Sequence, residues 1–257
     1  MTVTGRTTAT KRISMNSLRK TSLVAGALYL VTIVASIPAP VLKGAVLSNP
    51  DYIVGSGPDT AVLWGGFLDV IAAFACIGTA IVLFPVVKKQ NEAAALGFLA
   101  ARVLEAAIIV VGVVSLLSVV TLRQDLAGAA GADAASLVAT GHALVAIHDW
   151  TFLLGPGIIP AVNALLLGSL LYRSGLVPRG IPLLGLIGAP LLLASATATI
   201  FGINEQISVW SAIAGIPMLC WEFSLGVWLV ARGFKPSPIT AGLLTTGAPS
   251  GYRGPEA

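Results

Sequence analysis

AVLWGGFLDVIAAFACIGTAIVLFPVV, residues 61–87, holds one charged residue, Asp69, in 27 positions. A helix of that length extends about 40 Å, more than the roughly 30 Å of a bilayer's hydrocarbon core. Backbone amides in lipid must be satisfied within the crossing element. Barrel strands would show about ten residues of alternating polarity instead, and this stretch shows none. It therefore reads as a transmembrane helix. Lys88 and Lys89 follow it directly, and Asp51 and Asp59 precede it.

Working outward, five further stretches have the same character, at about 21–41, 93–122, 137–171, 181–202 and 207–231. The expectation is an all-α polytopic bundle of six transmembrane helices forming one domain over residues 19–235. The Thr-, Ser-, Gly- and Pro-rich ends, 1–18 and 236–257, are expected to be flexible tails. Basic residues alternate between loops. Arg6, Lys11, Arg12, Arg19 and Lys20, then Lys88 and Lys89, then Arg173 and Arg179, then Arg232, Lys235 and Arg253 fall on one side. The other side has only Lys43 and Arg123, with Arg102 inside the third stretch. By the positive-inside rule both termini are cytoplasmic.

The whole-chain figures agree. The 257 residues are 56% hydrophobic and only 10% charged, with mean hydropathy +0.92. Water-soluble domains carry about 25% charged residues. The net charge of +4 sits in short loops, so it reads as an orientation signal and not as a nucleic-acid surface. Cys76 and Cys220 both lie in apolar stretches and read as small core residues. The first stretch follows basic residues, as a signal peptide would. Its apolar run is longer than the roughly 7–15 residues of such a leader, so it is read as a membrane helix. Leu176-Val177-Pro178-Arg179-Gly180 resembles a protease-site scar, but its place between two membrane stretches marks it as native. The fourth stretch is too long for one upright crossing and carries Gly155-Pro156-Gly157 and Pro160. That predicts either a kink near 151–155 or a broken helix.

Ionisable residues inside a membrane are rare and usually face the bundle interior. Depth sorts them into two groups. Arg102, Glu105, Asn163 and Glu222 lie toward the cytoplasmic side. Asp69, His148 and Asp149 lie toward the outer side. Arg102 keeps its charge and needs a carboxylate, so an ion pair with Glu105, Glu222 or both is expected. Glu105, three residues on, shares its helix face. This inner group could staple helices together, or could serve as an anion site or proton relay. The outer group reads as a hydrogen-bonded cluster in which His148 could titrate near neutral pH. His142 and His148, six apart, do not share a helical face, so no metal site is assigned. No phosphate loop, dinucleotide fingerprint, HExxH or GxSxG is present, so neither catalytic residues nor a cofactor is assigned and the chain is not read as an enzyme.

Four passages carry a resemblance: RVLEAAIIVVGVVSLL (Arg102 to Leu117), HDWTFLLGPG (His148 to Gly157), NALLLGSLLYRSGLVPRGIPLLGLIGAPLLL (Asn163 to Leu193) and WEFSLGVWLVARGFKPS (Trp221 to Ser237). Together they resemble the bacterial membrane family catalogued as domain-of-unknown-function family 4386, over about Arg19 to Pro236. The resemblance implies an all-helical fold in the bacterial inner membrane and supplies no activity, substrate or catalytic residue. The functional expectation is therefore built on the residues. It is transport of a small solute or ion through a site on Arg102, Glu105 and Glu222. The alternative is a non-catalytic accessory or sensory protein whose buried charges are structural. The expected partners are the lipid bilayer and that solute or ion. Oligomeric state is left open.

Overall fold

The computed structural model describes residues 15–49, 51–55, 57–125 and 132–244. Among them every regular element is a helix: α1 (Met15–Ser36), α2 (Pro38–Ser48), α3 (Asp59–Val87), α4 (Glu92–Asp125), α5 (Ala132–Leu154), α6 (Ile159–Ser174), α7 (Gly180–Ile200), α8 (Val209–Ala231) and the short α9 (Pro238–Leu244). They make six spans long and apolar enough to cross a membrane. The first is α1 with α2 and the fourth is α5 with α6.

Neighbouring spans close a ring, in the order α1, α3, α4, α6, α7, α8 and back to α1. The half-length α2 packs on α3, and α5 packs on α4. Small residues allow the close approaches. A Cβ on Gly26 of α1 would lie 2.6 Å from the Gly226 carbonyl oxygen of α8. A Cβ on Gly65 of α3 would meet Lys43 Cγ at 2.6 Å. The helices can therefore touch backbone to backbone, the usual packing mode in lipid. The outside is apolar: mid-span Phe74, Val114, Ile187 and Phe223 are each more than half exposed. Water would penalise so broad an apolar surface, whereas lipid does not.

Several local devices end the helices. Asn91 Oδ1 accepts from the Ala94 amide at the start of α4. Ser208 caps α8 by accepting from the Ser211 amide. Gly175, at φ +65°, turns the chain out of α6, a conformation that suits a residue without Cβ. Arg19 donates to the Leu229 and Val230 carbonyls at the end of α8, at 3.0 and 2.6 Å. A cation there opposes the negative end of the helix dipole.

Several expectations are corrected. The first span does not stop near residue 41. The prolines at 38 and 40 start a second helix, because proline is tolerated in a first turn. Lys43, expected in a loop, is thus carried into α2, where it is 2% exposed. The tail from 236 begins with ordered structure: Ser237 donates from its hydroxyl to the Ser174 carbonyl at 2.5 Å, and α9 follows. Residues 1–14 and 245–257 of the two expected tails lie outside the described residues.

At the end of the bundle away from the termini, the loop after α2 is clamped to α4. Arg123, read from sequence as a loop residue, sits in the last turn of α4. It pairs with Asp59 and donates to the Gly55 and Gly57 carbonyls. Tyr52 donates to Asp59 at 2.8 Å, with the Arg123 guanidinium 4.7 Å over its ring. Burial, aided by the hydrogen bond to Asp59, pushes the Tyr52 phenol up to about 12.

Candidate functional site

Two ionic groups lie within the bundle. The first, toward the termini, centres on Arg102 of α4. One guanidinium nitrogen, Nη1, donates to Glu105 Oε2 at 3.1 Å and to Cys76 Sγ at 3.4 Å. The other, Nη2, donates to Glu222 Oε1 at 2.8 Å and Tyr29 Oη at 3.4 Å. Asn163 Nδ2 donates to Glu105 Oε2 at 2.8 Å. The guanidinium also lies over the rings of Tyr29 and Phe98, at 5.3 and 5.9 Å. The partners come from α1, α3, α4, α6 and α8, so one arginine touches or organises five spans. All four residues expected in the inner group meet, and Arg102 takes both glutamates. Tyr29 and Cys76 were missed, because a lone Tyr or Cys in an apolar run carries no signal of its own. Arg102 is 2% exposed and Glu105 4%. Arg102 Nε and Asn163 Oδ1 are buried without a protein partner.

The second group lies two helical turns farther on. Asp69 precedes Cys76 on α3 by seven residues, and Gly112 follows Glu105 on α4 by seven, about 10 Å along each axis. Lys43 Nζ donates to Asp69 Oδ2 at 2.5 Å and lies 3.3 Å from His148 Nε2. His148 Nδ1 is 3.2 Å from Asp149 Oδ1. The tautomer follows from the partners. An ammonium has no lone pair, so Nε2 must accept from Lys43, and Nδ1 carries the hydrogen and donates to Asp149. The three residues of the expected outer group are brought together, and the cation at their centre is the one placed in a loop from sequence.

The two groups differ in what surrounds them. Beside Lys43, Asp69 and His148 is a cavity of about 150 Å³, walled also by Ser36, Pro156 and apolar residues including Ile109 and Phe152. Lys43 and His148 are buried, yet both touch it. A second cavity of about 230 Å³, lined by Asn49, His142 and Asp149, lies farther toward the end away from the termini. The hydrogen-bonded run Asp149–His148–Lys43–Asp69 links the two.

Both helix breaks face the first cavity. The fourth span is broken. Gly155–Ile158 leave the helix between α5 and α6, with the Gly157 amide donating to the Phe152 carbonyl at 3.0 Å. Pro40 and Pro160 have no N–H to give the carbonyls four residues earlier, those of Ser36 and Pro156. Ser36 and Pro156 both line the cavity. Of the two sequence alternatives for this span, the structure takes the broken helix.

The family model described as "Domain of unknown function (DUF4386)" matches residues 24–233. The chain belongs to this family. The match runs from within α1 to just past α8, so it contains both ionic groups and both helix breaks. It confirms the resemblance read from the four sequence passages. No curated protein and no solved structure matches the chain. The family's description assigns no activity, and the functional reading rests on the geometry above.

Proposed function

We propose that the protein is a non-enzymatic, multi-pass protein of a bacterial cytoplasmic membrane, with both termini cytoplasmic, that binds and carries a small solute or ion. Its binding site is the cavity beside Lys43, Asp69 and His148. The orientation rests on the basic residues. With Lys43 buried in α2, Arg123 alone remains of the two that opposed the twelve on the termini side. The observation that carries the reading is the meeting of the broken fourth span and the proline-interrupted first span at one cavity that also holds charged side chains. Irregular backbone at membrane depth is tolerated where it lines such a space, and broken helices recur at transporter binding sites.

The Arg102 group then serves the bundle. Its hydrogen bonds and ring contacts are spent on neighbouring spans, and it closes the ring on the cytoplasmic side of the cavity. The expected transport site thus moves from Arg102, Glu105 and Glu222 to the outer group, and the inner group becomes the staple.

The test is a screen of small solutes for a rise in melting temperature of the purified protein. A solute that stabilises the wild type should lose its effect in Ile109→Trp, which fills the cavity from a half-buried wall position. It should keep its effect in Ile187→Trp, on the exposed surface. A shift that survives Ile109→Trp would place the solute elsewhere and end this assignment.

A further inference from the structure

Building on the carrier reading, we propose that the outer cavity exchanges a monovalent cation for a proton held on Lys43, with His148 and Asp149 forming the wire that carries the proton to the outer face. The charge inventory favours a cation. Lys43 from α2 is offset by Asp69 from α3 and Asp149 from α5, with His148 neutral between them. The cavity-lining residues of α4, Ile109, Gly112 and Val113, add no charge, and α1 contributes Ser36. The group carries one net negative charge. Asp69 Oδ2 is held by Lys43, while its side chain remains 17% exposed, so the carboxylate is open to the cavity.

The hydrogen bonds also have a direction. Lys43 donates to His148 Nε2, and His148 Nδ1 donates to Asp149. Both donors point toward the second cavity, at Asp149, so the wire is set to deliver a proton outward. In one concerted shift a Lys43 N–H bond breaks and an Nε2–H bond forms, while the Nδ1–H bond breaks and an O–H bond forms on Asp149. Lys43 ends as a neutral amine, His148 as the other neutral tautomer and Asp149 as a carboxylic acid. Asp149, whose side chain is 54% exposed, passes its proton to water. Asp69 is left as an unpaired carboxylate and takes the incoming cation. One positive charge enters and one leaves, so charge balances. The cation leaves on the cytoplasmic side, Lys43 takes a proton from that side, and His148 regains its first tautomer by exchange with water, so each turnover moves one cation in and one proton out.

Proteoliposomes loaded with a fluorescent pH indicator test this directly. Sodium, potassium or choline chloride is added outside, with N-methylglucamine chloride as the bulky control. At least one of the three cations should make the lumen more alkaline, beyond protein-free liposomes. The sodium and potassium arms separate inorganic ions from the organic cation choline. Asp69→Asn should abolish the response. His148→Phe should slow it about 100-fold, the usual scale for losing a positioned proton carrier. Asp149→Ala, at a half-exposed position that tolerates truncation, should slow it as well, and Glu205→Gln should leave it unchanged. Melting temperatures taken in parallel identify any variant that fails to fold. The exchange is refuted if none of the three cations moves protons, or if a folded Asp69→Asn or Asp149→Ala responds like the wild type. If a neutral solute meanwhile binds in the wild type and is blocked by Ile109→Trp, the exchange fails while the carrier site stands. If neither occurs, both fail.

Discussion

Arg102 and Lys43 are both buried cations held by carboxylates inside the same helix bundle, yet their surroundings differ. Arg102 spends both terminal nitrogens on partners from three other helices and its own and lies over two aromatic rings. Lys43 has one carboxylate and one imidazole partner, and its neighbours leave a cavity of about 150 Å³. The planar guanidinium suits a fixed, many-sided contact. The ammonium on its flexible stem suits a charge that can give up a proton. A buried ionic group is therefore not functional or structural by its charge alone. Its neighbours decide, and here they pack one group shut and leave the other beside a cavity.

That contrast should appear first in stability. Arg102→Met strands two carboxylates in a packed interior, and breaking such a pair costs about 3–5 kcal/mol. Lys43→Met strands one carboxylate that borders a cavity, and the loss should be smaller, about 1–3 kcal/mol. Unfolding in detergent followed by tryptophan fluorescence measures both, and equal losses would erase the distinction. Replacing the whole inner group with Arg102→Met, Glu105→Leu and Glu222→Leu should be less damaging than Arg102→Met alone, since no charge is left unpaired.

A packing change should cost less than the loss of the arginine. Gly26→Ala places a methyl against the Gly226 carbonyl on the α1–α8 seam, and overpacking of this kind costs about 1–3 kcal/mol. The same melts report it, and a loss equal to that of Arg102→Met would mean that the helix seam, and not the arginine, holds the ring together.

The smallest effect is expected at Tyr52. Tyr52→Phe removes one hydrogen bond to Asp59, worth about 1 kcal/mol. The folded phenol is raised from 10.0 to about 12, so it remains neutral where the unfolded phenol ionises. Its contribution should be constant below pH 10 and fade as pH rises from 10 to 12. Alkaline melts of wild type and Tyr52→Phe should converge across that window and differ by a constant amount below it.

Most of the architecture was legible in the sequence because hydrocarbon imposes one rule on every span. Long apolar runs set the six crossings, and a lone Arg102 with Glu105 one turn away announced its own pairing. What escaped was Lys43. The first stretch was expected to end near 41, although Pro38 and Pro40 can begin a helix and the apolar residues Val41, Leu42, Ala45, Val46 and Leu47 continue around the lysine. Asp69 held the missing clue: a carboxylate at that depth needs a cation, as Arg102 needs a carboxylate. Tyr29 and Cys76 could not be found by this logic, because their roles exist only once α1 and α3 meet α4. The break at Gly155–Ile158 was written in Gly-Pro-Gly and Pro160, but bend and break share that spelling.

Cysteine accessibility separates the two groups most directly. Residue 72 lines the outer cavity and Cys76, one turn away on the same helix face, lies against Arg102. In a Cys220→Ala background, a small water-soluble thiosulfonate should modify Ala72→Cys readily and leave Cys76 unreacted in the folded protein. Equal reaction at both positions, or protection of both, would contradict the division into an open exchange site and a closed structural one.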